Sequence, residues 1–104
     1  MLDNPAGKLI AVDLDGTLCE GEFWGKGNSV PIGDRIEFIN SLYKKGAHII
    51  IWTARMPEWF ADTQLWLQNN RVLYHGIAMR EKIGADLYID DKCINIHDAM
   101  NHLP

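Results

Sequence analysis

Three short apolar runs, each broken off by polar residues, constrain this chain more than any other feature. Leu9-Ile10-Ala11-Val12 ends in Asp13-Leu14-Asp15-Gly16-Thr17, Ile49-Ile50-Ile51-Trp52 ends in Thr53-Ala54-Arg55, and Leu87-Tyr88-Ile89 ends in Asp90-Asp91-Lys92. Continuous runs of this kind lack the alternation of a half-exposed strand. They read as strands buried on both faces, the pattern of a parallel sheet. Val72-Leu73-Tyr74 is a weaker fourth candidate.

Helical periodicity fills the gaps. From Asp34 to Lys45, Ile36, Ile39 and Tyr43 fall on one stripe with Phe38 and Leu42 beside it. Asp34 suits the electropositive first turn, Lys44 and Lys45 the last, and Gly46 the stop. Pro57 is placed to open a second helix through about Asn70, with Trp59, Phe60, Trp66 and Leu67 as its apolar face. A short helix is expected from Asn95 to His102. Strand and helix in alternation predict an α/β fold with right-handed crossovers and a parallel sheet of about four strands. Residues 19–33 differ: Gly21, Gly25 and Gly27 space out Glu20, Glu22, Phe23, Trp24 and Lys26, and Pro31 follows. This predicts a mobile hairpin or loop projecting from the first strand.

The 104 residues, 47% of them hydrophobic, suit one globular domain over residues 1–104. A net charge of −4 gains nothing from counterion release, so neither nucleic acid nor an anionic membrane surface is an expected partner. Cys19 and Cys93 are too few for a disulfide scaffold and lack zinc spacing. With no signal peptide or long apolar segment in view, a soluble cytoplasmic protein is the expectation.

In an open parallel sheet, ligands bind beyond the carboxyl ends of the strands, so the polar residues named above would converge on one crevice. Asp13 and Asp15 share a face while the strand continues, and Gly16 allows a sharp exit. With Asp90 and Asp91 opposite, they make a patch of negative charge that is costly unless a cation occupies it, and oxygen-only ligands suit Mg²⁺. Thr53 adds a hydroxyl donor and Lys82 a cation, which together could hold a phosphoryl group.

These residues, in this order, resemble the motifs of the haloacid dehalogenase superfamily. Asp13-Leu14-Asp15-Gly16-Thr17-Leu18 is similar to the DxDGT motif of its phosphatases. Ile51-Trp52-Thr53-Ala54-Arg55 resembles the second motif, Lys82 the third, and Tyr88-Ile89-Asp90-Asp91 the fourth. The resemblance spans residues 8–92 and implies a three-layer Rossmann-like core. It implies that Asp13 is the nucleophile that forms an aspartyl-phosphate, and that Asp15 is the general acid and base. Mg²⁺ would be held by Asp13, the Asp15 carbonyl, Asp90, and Asp91 directly or through water. Thr53 and Lys82 would hold the phosphoryl oxygens, with Gly16, Ala54 and Arg55 joining the phosphate-binding set.

Other residues carry plainer readings. Asp91 would also suit a helix cap, and Arg55 either a phosphate contact or a surface ion pair. Trp24 and Lys26 either approach the site or pack the hairpin. Trp52, Trp59 and Trp66 read as core; His48, His75, His97 and His102 as structural or exposed; Cys19 and Cys93 as ordinary reduced thiols.

Larger relatives carry a cap domain at one of two places, and neither interval here has room for one. An uncapped site would need the 19–33 loop or a neighbouring subunit to shape it. The expected function is therefore a Mg²⁺-dependent phosphomonoesterase acting on a small phosphorylated metabolite, sugar phosphates among them. The resemblance extends to a subgroup associated with polysaccharide biosynthesis, and capless members also tend to form homo-oligomers. Two alternatives are a non-catalytic phosphate- or metal-binding or receiver-like phospho-aspartate module, and a sugar-nucleotide transferase argued from DxD alone. The first-strand DxDGT argues against the receiver order, and the chain's length against the transferase.

Overall fold

In the computed structural model, residues 4–21, 29–79, 82–87, 89–90 and 92–103 are described. Strand β1 (Leu9–Val12) pairs in parallel with β4 (His48–Trp52), in the register Leu9↔His48 to Val12↔Ile51. The second run thus lies directly beside the first. Helix α1 (Gly33–Lys44) makes the crossover and buries Ile36, Ile39 and Leu42. Its end is closed as the sequence predicts: Gly46 takes φ +97°, Gly46 N–H reaches Tyr43 O, and Ala47 N–H reaches Leu42 O. That pair of bonds satisfies carbonyls the last turn leaves open, and it needs a residue tolerant of the left-handed region.

A 3-10 turn at Pro57–Trp59 leads into α2 (Phe60–Asn69), which buries Thr63, Trp66 and Leu67. The predicted apolar face is corrected here. Trp59 is half-buried and Phe60 is 43% exposed. Both residues stand in the opening turn, where no preceding turn of this helix covers them, and the buried stripe begins only at Thr63.

The third strand of the sheet is not the one expected. Strand β5 (Gly76–Ala78) pairs in parallel with β4, from Ile50↔Gly76 to Trp52↔Ala78, giving the order β1-β4-β5. Val72 and Leu73 do not join it because their N–H groups go elsewhere, to Leu67 O and Asn40 Oδ1. The ladder begins at His75, whose N–H reaches Ile49 O. Gly76 is a poor strand residue by propensity, yet a Cβ there would sit 3.2 Å from Ile50 Cδ1, so the small residue lets Ile50 pack across it. Leu87 and Ile89, read as strand from the sequence, are 73% and 91% exposed and outside any described strand.

One sheet face carries Ile10, Val12, Ile49 and Ile51, which form a single core with Ile36, Ile39, Leu42, Trp66 and Leu67. The opposite face carries Leu9, Ala11, Ile50 and Trp52, which are exposed or half-buried. The predicted parallel α/β architecture stands, with a three-stranded sheet and helices among the described residues. Helix α3 (Ile96–His102) packs beside α1, and Asn95 caps it by accepting from His97 N–H at 2.9 Å. The predicted hairpin is present at its base, where β2 (Cys19–Glu20) pairs antiparallel with β3 (Val30–Pro31). Its tip, with Trp24 and Lys26, lies outside the described residues. No cap domain is present among the described residues, and none of their helices is long and apolar enough to cross a membrane.

Candidate active site at the end of the first strand

Strand β1 ends in a tight turn. Leu14 O accepts from Thr17 N–H, Leu18 N–H and Cys19 N–H at 3.1, 2.8 and 3.3 Å, and Gly16, at φ +86°, donates to Cys19 O at 2.8 Å. Leu14 and Leu18 are fully buried and anchor this turn in the core. Asp13 and Asp15 flank Leu14 in sequence, so their half-buried carboxylates are left at the rim.

Asp13 is held from two sides. Lys82 Nζ lies 2.7 Å from its Oδ1, and Thr17 Oγ1 donates to its Oδ2 at 3.1 Å. The Lys82 side chain is buried, with its ammonium 4.8 Å from the Trp52 ring centroid. A buried ammonium needs a compensating charge, and Asp13 supplies it.

Asp15 is held by Arg55. Nε reaches Oδ2 at 2.8 Å and one Nη reaches Oδ1 at 2.7 Å, the two-toothed geometry that guanidinium and carboxylate favour. Arg55 is buried, and it also contacts Thr63 Oγ1 at 3.1 Å, Ser29 Oγ at 3.2 Å and Cys19 Sγ at 4.0 Å. Beside it, Thr53 is 1% exposed; its N–H reaches Ala78 O and its Oγ1 accepts from Arg55 N–H at 3.1 Å. The Cys19 thiol lies 3.5 Å from Asp15 Oδ1, and burial, with the Asp15 charge behind it, pushes its pKa up to about 11. It is a neutral thiol here, with none of the thiolate character a nucleophile needs.

Two acids and two bases thus interlock at the rim. The negative patch inferred from the sequence is already balanced in part by Lys82 and Arg55. A cavity of about 180 Å³ opens beside Asp13, Thr17 and Lys82, with mainly apolar walls that include Val12, Phe38 and Leu42.

The family profile of haloacid dehalogenase-like hydrolases matches residues 10–100. The chain belongs to that family. A crystal structure of a structural-genomics target from Vibrio cholerae is similar to this haloacid dehalogenase-like hydrolase, with 28% identity, a TM-score of 0.76, and coverage of 88% of this chain and 85% of that one. A chain of the Pnkp1/Rnl/Hen1 complex shares the fold alone, at 18% identity and a TM-score of 0.64; 96% of this hydrolase aligns to 36% of that chain. No curated protein matches the sequence.

The structure brings some of this hydrolase's predicted site residues together and leaves others apart. Asp13, Asp15, Gly16, Thr53, Arg55 and Lys82 gather where β1 and β4 end, and Ala54 is exposed beside them. Asp90 is exposed, with Oδ1 accepting from Lys92 N–H at 2.8 Å, and Asp91 lies outside the described residues. Among the described residues, no three of His, Cys, Asp and Glu are grouped to hold a metal. Of the histidines, His48 and His75 stack at 4.1 Å, and His97 Nε2 is 3.3 Å from Arg35.

Three residues that shape the site were not anticipated: Ser29, Arg35 and Thr63. Arg35 donates to Gly16 O and Thr17 O, both at 3.2 Å, and so steadies the turn from α1. No motif marks these residues. A Thr on the stripe shared with Trp66 and Leu67 is the one sequence signal that could have found Thr63, since a buried hydroxyl implies a partner.

Proposed function

We propose that this hydrolase is a Mg²⁺-dependent phosphomonoesterase that works through Asp13. The observation that carries the proposal is the Asp13 carboxylate, fixed between Lys82 and Thr17 at the rim, with Asp15 two residues on. Asp13 attacks phosphorus, an Asp13–phosphorus bond forms, and the ester P–O bond breaks as Asp15 gives a proton to the departing oxygen. Asp15 then takes a proton from water, whose oxygen attacks the same phosphorus. Inorganic phosphate leaves and the Asp13 carboxylate is restored. On this reading Lys82 and the Thr53 hydroxyl would hold the phosphoryl oxygens, and a preset donor array lowers the barrier without reorganising.

The donor chemistry fits a hard divalent cation, since Asp13, the Asp15 carbonyl, Asp90 and Asp91 offer oxygen only. Lys82 occupies one carboxylate oxygen of Asp13, and each such oxygen has a second lone pair for a cation. When bound, Mg²⁺ supplies charge that screens the repulsion between carboxylate and phosphate. The substrate class proposed is a small phosphorylated metabolite such as a sugar phosphate, with the hairpin or a second subunit completing the uncapped site.

The test is release of phosphate from an aryl phosphate by the full chain. Activity is expected with Mg²⁺, and its loss with EDTA and in Asp13→Asn. Activity that survives both changes sinks the proposal, and a stable phospho-aspartate without release would favour the receiver-like alternative.

A further inference from the structure

The sequence left Arg55 between a phosphate contact and a surface ion pair, and the structure shows an ion pair with Asp15 in which the guanidinium is buried. Its side chain is 3% exposed, whereas that of Asp15 is 37% exposed, so the carboxylate faces the rim with the guanidinium behind it. Both oxygens of Asp15 are claimed by the planar fork, which fixes the rotation of the carboxylate as well as its position. The fork is itself fixed from the rear by Thr63 of α2 and by Ser29 at the foot of the hairpin. Ser29 is fixed in turn, because Trp66 Nε1 donates to its carbonyl at 3.0 Å.

We propose that Arg55 is a positioning residue that acts through Asp15 and does not bind the phosphoryl group. This rests on the reading of Asp15 as proton donor and acceptor. Proton transfer requires hydrogen-bond reach and alignment, so a carboxylate free to rotate would spend most of its time misaimed. Arg55 removes that freedom. Thr63, Ser29 and Trp66 transmit the placement of α2 and the hairpin foot to the carboxylate. A lysine could keep the charge but not the two-toothed hold, since an ammonium is a point donor on a flexible stem.

The test compares Arg55→Lys, Arg55→Ala and Thr63→Val in the full chain, with an aryl phosphate as probe and Mg²⁺ present. Arg55→Lys is expected to lower kcat by about 10- to 100-fold with KM within roughly threefold of wild type. Added guanidinium ion is expected to restore part of the rate in Arg55→Ala and none in wild type. Thr63→Val, which keeps both members of the pair, is expected to lower kcat in the same sense but less. A KM raised about tenfold with kcat retained would make Arg55 a phosphate contact and overturn the proposal.

A second measurement does not depend on turnover: a thermal-unfolding cycle combining Arg55→Lys with Asp15→Asn. The two losses in Tm are expected to overlap strongly, and additive losses would overturn the pairing. If wild type releases no phosphate, the phosphatase reading falls by itself, and the cycle alone then judges the hold of Arg55 on Asp15.

Discussion

The guanidinium of Arg55 closes on both carboxylate oxygens of Asp15, at 2.8 and 2.7 Å, across 40 residues of sequence. The end of β1 is thereby joined to the end of β4 by a link additional to the ladder. The link is one-sided in its exposure: the basic partner is buried and the acidic one reaches solvent. A cation in that position is tolerable only while its donors are met, so the residues behind Arg55 should matter to stability as well as to the site.

Thr63 gives the direct check. It is fully buried and accepts from Arg55 Nη1 at 3.1 Å. Thr63→Val keeps the shape and removes the acceptor. We expect a loss of about 1–3 kcal/mol, the range for a buried donor left unmet, with the urea m-value unchanged. A change within about 0.3 kcal/mol would mean that the bond contributes nothing net.

Asp13→Asn should separate chemistry from fold. The amide is isosteric and still offers an oxygen to Lys82, but it is a far weaker nucleophile and leaves the buried ammonium without its counter-charge. Phosphate release should fall by about 10³-fold or more, while stability falls by only about 1–3 kcal/mol. Circular dichroism alongside the assay checks this. A variant that is inactive because it is unfolded would remove the support the assay gives to Asp13.

What the sequence discloses about this hydrolase is mostly local. The DxDGT turn and the Gly46 stop each depend on backbone geometry within a few residues, so residue type and spacing suffice to find them. The third strand depends instead on competition for one slot beside β4. Gly76–Ala78 takes it because Ile50 packs over a residue with no side chain, and propensity counts that same glycine as a breaker. The partners of Asp15 and Asp13 are equally non-local. The chemistry of Arg55 and Lys82 is legible, but which acid each would meet follows from how β4 and the segment after β5 return to the rim. Ser29 and Thr63 act on Arg55 through single hydroxyls, which leave no pattern in a sequence.

The two cysteines should behave oppositely. Cys19 is buried with its pKa pushed up to about 11, and Cys93 is exposed. A thiol reagent at pH 8 should modify one cysteine in the native protein and both after denaturation. The same shift predicts an alkaline weakness. The folded state favours the neutral thiol, whereas the unfolded thiol ionises from its ordinary value of 9.0. The stabilisation is full below pH 9 and is lost as pH rises from 9.0 towards about 11, amounting to something on the order of 2 kcal/mol. Cys19→Ala should flatten that part of the stability–pH curve, and an unchanged slope would show that Cys19 is not its source.

Gly76 offers a test of the sheet that does not touch the chemistry. Adding a Cβ at this position brings it 3.2 Å from Ile50 Cδ1, closer than ordinary contact, though the crowding atom is the mobile end of a side chain. Gly76→Val adds two further methyl groups, which must push against Ile50 on the neighbouring strand. The expected cost is about 1–3 kcal/mol from overpacking, partly offset by the better strand propensity of valine. Ile50→Val in the same molecule removes the crowding methyl and should recover part of that loss, even though on its own it costs about 0.5–1.5 kcal/mol. Recovery on combining two destabilising changes would place the two side chains in contact across β4 and β5. Simple additivity in urea denaturation would mean that Gly76–Ala78 is not paired beside β4 in this register.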